Sequence, residues 1–333
     1  MTTLSSSISA SSTDIRTVKR VPLIDAARGA AIAGMFVYHF IWDLGFFAVI
    51  PASFPQSPGF RFFGHIVAAT FLALVGISHA MATRGGLNWH AYLLRLATVV
   101  GAAALVTLAT WYLFPEATIF FGILHCIVVA SILALIFTRA PWFVTGLVAL
   151  AIIAAPFLFA SAAFDSSNWW LGMGFDEPRT NDWRPVFPWA GFTLAGLALA
   201  QAALRHGAPG SLIGWSTSNP VDRTLVLGGR HSLLIYLAHQ PVLIAVAFLL
   251  SLVLAPRQLA SVSPEADFQR VCVARCVEAR ADASYCARTC GCLVDVSKAN
   301  NLWQKILRND LSADEQKQYD ELTQQCIRDS AVK

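Results

Sequence analysis

Residues 21–43 read Val-Pro-Leu-Ile-Asp-Ala-Ala-Arg-Gly-Ala-Ala-Ile-Ala-Gly-Met-Phe-Val-Tyr-His-Phe-Ile-Trp-Asp. Crossing a bilayer takes roughly 20 mainly apolar residues, and this run is long enough. It nevertheless carries Asp25, Arg28, His39 and Asp43. At about 100° per residue, these four fall within an arc of roughly 60° on one side of a helix. A charge at the bilayer centre costs on the order of 2.5–3.5 kcal/mol on insertion scales, so intramembrane charges as a rule face protein or a cavity and act there. The stretch therefore predicts a membrane-spanning helix with a functional face.

Working outward, the first span extends over about 22–48, and six more apolar runs follow at about 61–83, 91–114, 118–138, 142–163, 185–204 and 229–255. The expected fold class is all-α, a polytopic transmembrane helix bundle of about seven spans. Pro241 predicts a kink in the last of them. The charge pattern breaks near Pro256. Residues 1–258 hold 14 Lys and Arg and 9 Asp and Glu, whereas the last 75 residues hold 10 and 11. Three segments follow: a Ser/Thr-rich, disordered cytoplasmic stretch over 1–20, a transmembrane domain over 21–256, and a small soluble Cys-rich helical tail over 257–333. The net charge of +4 is scattered among apolar runs and forms no patch for nucleic acid. Arg16, Lys19 and Arg20 precede an apolar run, but no small-residue cleavage site follows, so a removed leader is not expected.

Orientation follows from Lys and Arg in the short loops. One side collects Arg16, Lys19, Arg20, Arg84, Arg95, Arg139, Arg205, Arg223 and Arg230; the other collects Arg61, Arg179 and Arg184. The N-terminal side is expected in the cytoplasm of a bacterium. Seven spans of its inner membrane would then put the tail in the periplasm. The cysteines bear on this independently. Cys126 lies in a span and reads as a buried small apolar residue. Cys272, Cys276, Cys286, Cys290, Cys292 and Cys326 all lie in the tail, an even set that suggests disulfides. A helical hairpin turning near residues 281–283 would let Cys272 meet Cys290 and Cys276 meet Cys286, with Cys292 left for Cys326. Six cysteines allow 15 pairings. A zinc site is the competing reading, disfavoured because the tail has no histidine and no Cys-x2-Cys knuckle. Ser312 and Glu315 have the spacing of a capping box.

Arg28 and His39 are eleven residues apart, roughly 16 Å along one helix face at about 1.5 Å per residue. The Arg28 fork suits the anionic oxygens of a phosphate or of a coenzyme pyrophosphate. An interior His39 could take a proton from an attacking hydroxyl or amine. Asp43, one turn on, could orient its ring, and Asp25 could steady Arg28. The alternative is a structural ion pair and a histidine bonded to a neighbouring helix. His65, His125, Tyr236 and His239 are further polar groups in spans and are candidate cavity-lining residues. The spacing of His65 and His79 also suits stacked haems, but no second helix carries a matching pair. Segment 164–184 mixes Asp165, Asp176, Glu177 and Asp182 with Trp169, Trp170 and Trp183. It reads either as a sugar-contacting surface or as an interfacial aromatic belt.

Here a resemblance enters. Leu23-Ile24-Asp25-Ala26-Ala27-Arg28-Gly29 through Val37-Tyr38-His39-Phe40 resembles the opening helix of membrane acyltransferases: in the acyltransferase type 3 family, Asp-x-x-Arg-Gly is followed by His eleven residues after the Arg. Three other stretches resemble the related heparan-alpha-glucosaminide N-acetyltransferase-like family of bacterial membrane proteins. They are Phe121-Gly122-Ile123-Leu124-His125, Arg184-Pro185-Val186-Phe187-Pro188-Trp189, and Gly229-Arg230-His231-Ser232-Leu233-Leu234-Ile235-Tyr236-Leu237-Ala238-His239-Gln240-Pro241. The resemblance covers most of residues 20–256. It implies transfer of an acetyl or other acyl group from cytoplasmic acetyl-CoA (acyl-CoA), without a metal, to a glycan or sugar acceptor at the lipid membrane. Lysosomal members place a catalytic histidine in the loop after the first span. Here residues 45–59 contain none, so the resemblance points to His39 as base, with Asp43 as its orienter and Arg28 and Asp25 at the coenzyme. Two other classes compete: a transporter or channel with an intramembrane Arg/His/Asp path, and a scaffold whose periplasmic tail binds a partner.

Overall fold

A computed structural model of the chain describes residues 21–165, 168–207, 215, 217–259, 263–279, 282–308 and 310–331. The expected disordered stretch 1–20 lies outside these. The described residues are all-helical: α1 (Pro22–Phe46), α2 (Pro58–Thr83), α3 (Trp89–Leu113), α4 (Ile123–Ile136), α5 (Trp142–Phe159), α6 (Val186–His206), α7 (Pro220–Arg230), α8 (Ser232–Leu259), α9 (Pro264–Ala279), α10 (Ala283–Ala299), α11 (Trp303–Arg308) and α12 (Ala313–Ala331). Six of them, α1, α2, α3, α5, α6 and α8, are long and apolar enough to cross a membrane.

The seventh apolar helix, α4, is shorter than the run 118–138 that predicts it. It has 14 residues, about 21 Å at 1.5 Å per residue, against about 30 Å of hydrocarbon. The chain enters α4 through non-helical residues as far as Gly122, and side chains from near (His125) and far (Asp182) in the sequence bond the first free backbone N–H groups there. The last predicted span is also divided. His231 separates α7 from α8, and α8 then continues through Pro241.

The chain packs as two compact units. The first comprises the residues up to Ile32 together with Ala68–Leu237. Its centre is α6, which packs against α4 and α5. Leu194, Leu197 and Ala200 of α6 form one buried cluster with Ala80, Ala134 and Ala149. Small residues set the spacing at two crossings. A Cβ on Gly76 would strike the Thr193 carbonyl of α6, and one on Gly196 would strike the Ala73 carbonyl of α2. The same reciprocity joins α1 to α7, where Gly29 lies against Leu225 and Gly229 lies against Asp25. Glycines at both contact points let two backbones touch, the close approach that small residues allow between membrane helices.

The second unit comprises Ala33–Val67 and the residues from Ala238 on. Within it the Cys-rich tail has its own core on α10, where Tyr285, Cys286, Thr289, Cys290, Leu293, Val294 and Ser297 are buried. Helices α9 and α12 pack on α10. Disulfides join Cys272 to Cys290, Cys276 to Cys286 and Cys292 to Cys326. Cysteines one helical turn apart on each arm of a hairpin make the first two pairs geometrically natural, as the spacing suggested. Phe268 meets Trp303 edge-on at 5.3 Å between centroids, and Asp282 caps α10 through the Ser284 N–H at 3.0 Å. The capping box at α12 forms as expected, Ser312 N–H donating to Glu315 at 3.0 Å and Glu315 N–H to Ser312 Oγ at 3.4 Å.

Candidate functional site

The four motifs singled out in the sequence pair off. The first half of the opening motif meets the start of the last one. Arg28 lies 3.4 Å from the Asp25 carboxylate on its own helix, and it donates to the Gly229 carbonyl at 3.5 Å and to Ser78 Oγ at 2.6 Å. Ser78 passes its own proton to the Leu74 carbonyl at 2.5 Å, so its lone pairs remain for the arginine. Arg230 reaches the other Asp25 oxygen at 3.6 Å. One buried carboxylate is thus shared by two guanidinium groups. The close crossing at Gly29 and Gly229 is what brings them there.

The second halves of the same two motifs meet in the other unit. The His39 and His239 rings pack edge to face, with centroids 5.0 Å apart. His239 is buried and also meets Phe36 at 5.6 Å. Asp43 is buried, and its Oδ1 accepts a bond from Gln240 Nε2 at 2.9 Å. Among the described residues, Asp43 Oδ2 and Gln240 Oε1 have no hydrogen-bond partner. An unmet carboxylate oxygen and an unmet amide oxygen in apolar surroundings are costly.

The other two motifs form a third arrangement, in the first unit. Asp182 accepts from the Ile123 N–H at 2.7 Å, and the Arg184 N–H donates to the Phe121 carbonyl at 3.1 Å. Arg184 lies 3.8 Å from Asp182 and sits over the Trp189 ring at 4.9 Å. His125 Nδ1 accepts from the Gly122 N–H at 3.2 Å, and its Nε2 lies 3.1 Å from Thr107 Oγ1. Thr107 donates its only hydroxyl proton to the Ile119 carbonyl at 2.7 Å. The bonding pattern therefore assigns the proton of a neutral His125 to Nε2, donating to Thr107. Nδ1 thus serves the start of α4, and Nε2 ties it to Thr107 of α3. In the acid-rich loop, Asp165 likewise accepts from the Asp176 N–H at 3.1 Å.

The remaining candidates are dispersed. His65 is exposed on α2. Tyr236 packs with Leu233 and Leu237 against Ala102, Ala103 and Leu124. Cys126 is buried and unbridged, as expected. His79 meets Thr138 Oγ1 at 2.8 Å. Ser78 was not among the residues marked in the sequence, although it adjoins His79; Gln240 belongs to the polar cluster of the last span, and its bond to Asp43 is what the structure adds. Among the described residues, no group of three or more His, Cys, Asp and Glu side chains could hold a metal ion.

Six helices long and apolar enough to cross a membrane, with an ion pair in one unit and two packed imidazoles and a bonded carboxylate in the other, mark a multi-pass membrane protein. A family model described as heparan-alpha-glucosaminide N-acetyltransferase, catalytic, matches residues 20–241. The chain belongs to that family, whose description is of an N-acetyltransferase. The match takes in all four paired motifs and ends at Pro241, so the disulfide-bonded tail lies outside it. Comparison with curated proteins and with solved structures gives no match.

Proposed function

We propose that the protein transfers an acetyl or related acyl group from acyl-CoA to a glycan or sugar acceptor, with its activity in residues 21–256 and the tail 257–333 as a separate soluble module. Arg28, steadied by Asp25, holds the anionic part of the donor. His39 is the general base: the acceptor O–H or N–H attacks the thioester carbonyl and gives its proton to the imidazole. The C–S bond breaks, and the coenzyme leaves as the thiol after taking up a proton. Asp43 is the positioning group beside His39, and Tyr236 and His239 line the way of the acceptor. His65 and His125 share that lining role, with His125 acting through the start of α4. The donor approaches from the cytoplasm of a bacterium and the tail stands in the periplasm, where disulfides persist. A kinship with the acyltransferase type 3 family is part of the same proposal.

What supports this reading is the contact between the His39 and His239 rings in a chain from an N-acetyltransferase family. Membrane vesicles given radiolabelled acetyl-CoA should label a glycan with the wild type and lose at least about 10²-fold of that rate with His39→Ala, the scale of general base catalysis. Unchanged labelling in His39→Ala removes the catalytic assignment. Proton or solute flux without coenzyme selects the transporter instead.

A further inference from the structure

The two arginines that share Asp25, both in the first unit, are held in different ways. Arg28 is anchored. Its Nη1 lies 3.4 Å from Asp25 Oδ1 and 3.5 Å from the Gly229 carbonyl oxygen, and its Nη2 donates to Ser78 Oγ at 2.6 Å. Its side chain is 23% exposed. Arg230 meets the same carboxylate through Nε, 3.6 Å from Oδ2, and its side chain is 46% exposed. Asp25 Oδ2 accepts no hydrogen bond among the described residues, so this contact is attraction between charges and not a bond. Among the described residues, Arg230 has no other ion-pair partner and its Nη1 and Nη2 have no acceptor.

The backbone fixes where Arg230 begins. The residue before it, Gly229, is buried against α1, and a Cβ there would lie 1.8 Å from the Asp25 carbonyl oxygen. Arg230 therefore leaves α7 at the point of contact with α1, and its guanidinium turns to the carboxylate. One carboxylate set between two guanidinium groups leaves the three side chains net positive. With Nε on Asp25, the terminal nitrogens of Arg230 form an open, half-exposed fork, the shape that takes the paired oxygens of a phosphate. Arg28 and Arg230 stand against the two oxygens of one carboxylate, so their charges are neighbours, as the two phosphates of a diphosphate are.

We propose that Arg230 is a second binding residue for the acyl donor, its open fork bonding one phosphate of the coenzyme diphosphate beside the fixed charge of Arg28, a role that rests on the acyl-CoA reading above. Asp25 aims both guanidinium groups and Ser78 keeps Arg28 in place. The close crossing of α1 and α7 at Gly29 and Gly229 is then what builds the anion site.

The test uses the full chain in nanodiscs of zwitterionic lipid, with inorganic pyrophosphate and coenzyme A as probes in calorimetric titrations. Wild type is expected to bind both. Arg230→Gln should weaken both by about tenfold or more, as loss of a charge-assisted hydrogen bond does. Arg230→Lys keeps the charge beside Asp25 but not the fork, so it should recover only part of the loss, and it serves if the glutamine variant fails to fold. Arg139→Gln, in the turn after α4, should bind as wild type does. Full recovery in Arg230→Lys, or equal binding by Arg230→Gln and wild type, overturns the role of the Arg230 fork and leaves the acyl-CoA reading standing. Pyrophosphate binding that depends on Arg230, without coenzyme A binding, overturns the acyl-CoA reading and leaves the anion site. Coenzyme A binding that is lost once phosphatidylglycerol is added to the nanodiscs assigns the fork to lipid phosphate and overturns its donor role. Wild type that binds neither probe overturns both.

Discussion

Gln240 holds Asp43: its Nε2 donates to the buried Oδ1 at 2.9 Å, while Asp43 Oδ2 and Gln240 Oε1 have no hydrogen-bond partner among the described residues. Asp43→Asn turns this single bond into a reciprocal amide pair, since an asparagine Nδ2 can donate to Gln240 Oε1. The variant should fold at least as well as wild type and lose acetyl transfer. Gln240→Leu should cost about 1–3 kcal/mol of stability, the scale for a buried polar group deprived of its partner. Thermal unfolding in detergent beside transfer assays separates the two effects, and a Gln240→Leu protein as stable as wild type would remove the bond from the account.

Neighbouring glycines at the α1–α7 crossing should respond oppositely to one added methyl. A Cβ on Gly229 runs into the Asp25 backbone, whereas one on Gly228 meets only Gly29 Cα at 3.9 Å, an ordinary contact. Gly229→Ala should destabilise by about 1–3 kcal/mol, as overpacking does, and loosen the Asp25–Arg28–Arg230 group. Gly228→Ala should fold as wild type does. Similar unfolding temperatures for the two variants would contradict the crossing.

At α4 the expectation is structural. Asp182→Asn keeps an oxygen for the Ile123 N–H and should be mild, whereas Asp182→Ala and His125→Ala should each lower stability by about 0.5–2 kcal/mol, as lost helix caps do. If His125→Ala abolished transfer in a protein with unchanged melting, His125 would be a reacting group and not a cap.

The tail disulfides should differ in worth. In the chain-entropy account, stabilisation grows with the loop closed. Cys292–Cys326 spans 34 residues and Cys276–Cys286 spans 10, giving about 3.8 and about 2.7 kcal/mol on that account. Paired serine substitutions, followed by denaturant unfolding of the tail in the full chain, should show the larger loss for the 34-residue bridge.

In α12, Lys305 and then the Ser312 backbone draw the Glu315 carboxyl down from 4.5 to about 2. A depressed carboxyl stabilises above its unfolded value, and the benefit fades as pH falls from about 4.5 through about 2. The effect should be small, because exposed ion pairs are screened. Lys305→Met should return the Glu315 midpoint toward 4.5 and bring forward the acid-induced loss of hydrogen-exchange protection in α12. Identical acid profiles would exclude the pairing.

Much of the architecture was legible in the chain because it is periodic or local. Apolar runs of span length marked the helices, and the charge break near Pro256 sets off the cysteine-rich residues that follow it. One-turn cysteine spacing marked the hairpin whose pairs the tertiary structure contains. Ser312 and Glu315 act within four residues of each other, so their bond was readable too. Three matters needed the tertiary structure. Residues 118–122 are as apolar as the helix they precede, and only Asp182, distant in sequence, accounts for the start of α4 at Ile123. The sequence marks His125 as a cavity-lining candidate, whereas its bonds to the Gly122 N–H and to Thr107 are visible only in the tertiary structure. The convergence of Asp25–Arg28 with Gly229–Arg230, and of His39 with His239, depends on which helix faces touch and at what register. Hydropathy places a residue in a span but is blind to its neighbour there. Backbone contact at Gly29 and Gly229 makes that choice for the arginine cluster, so packing, not composition, assembled it.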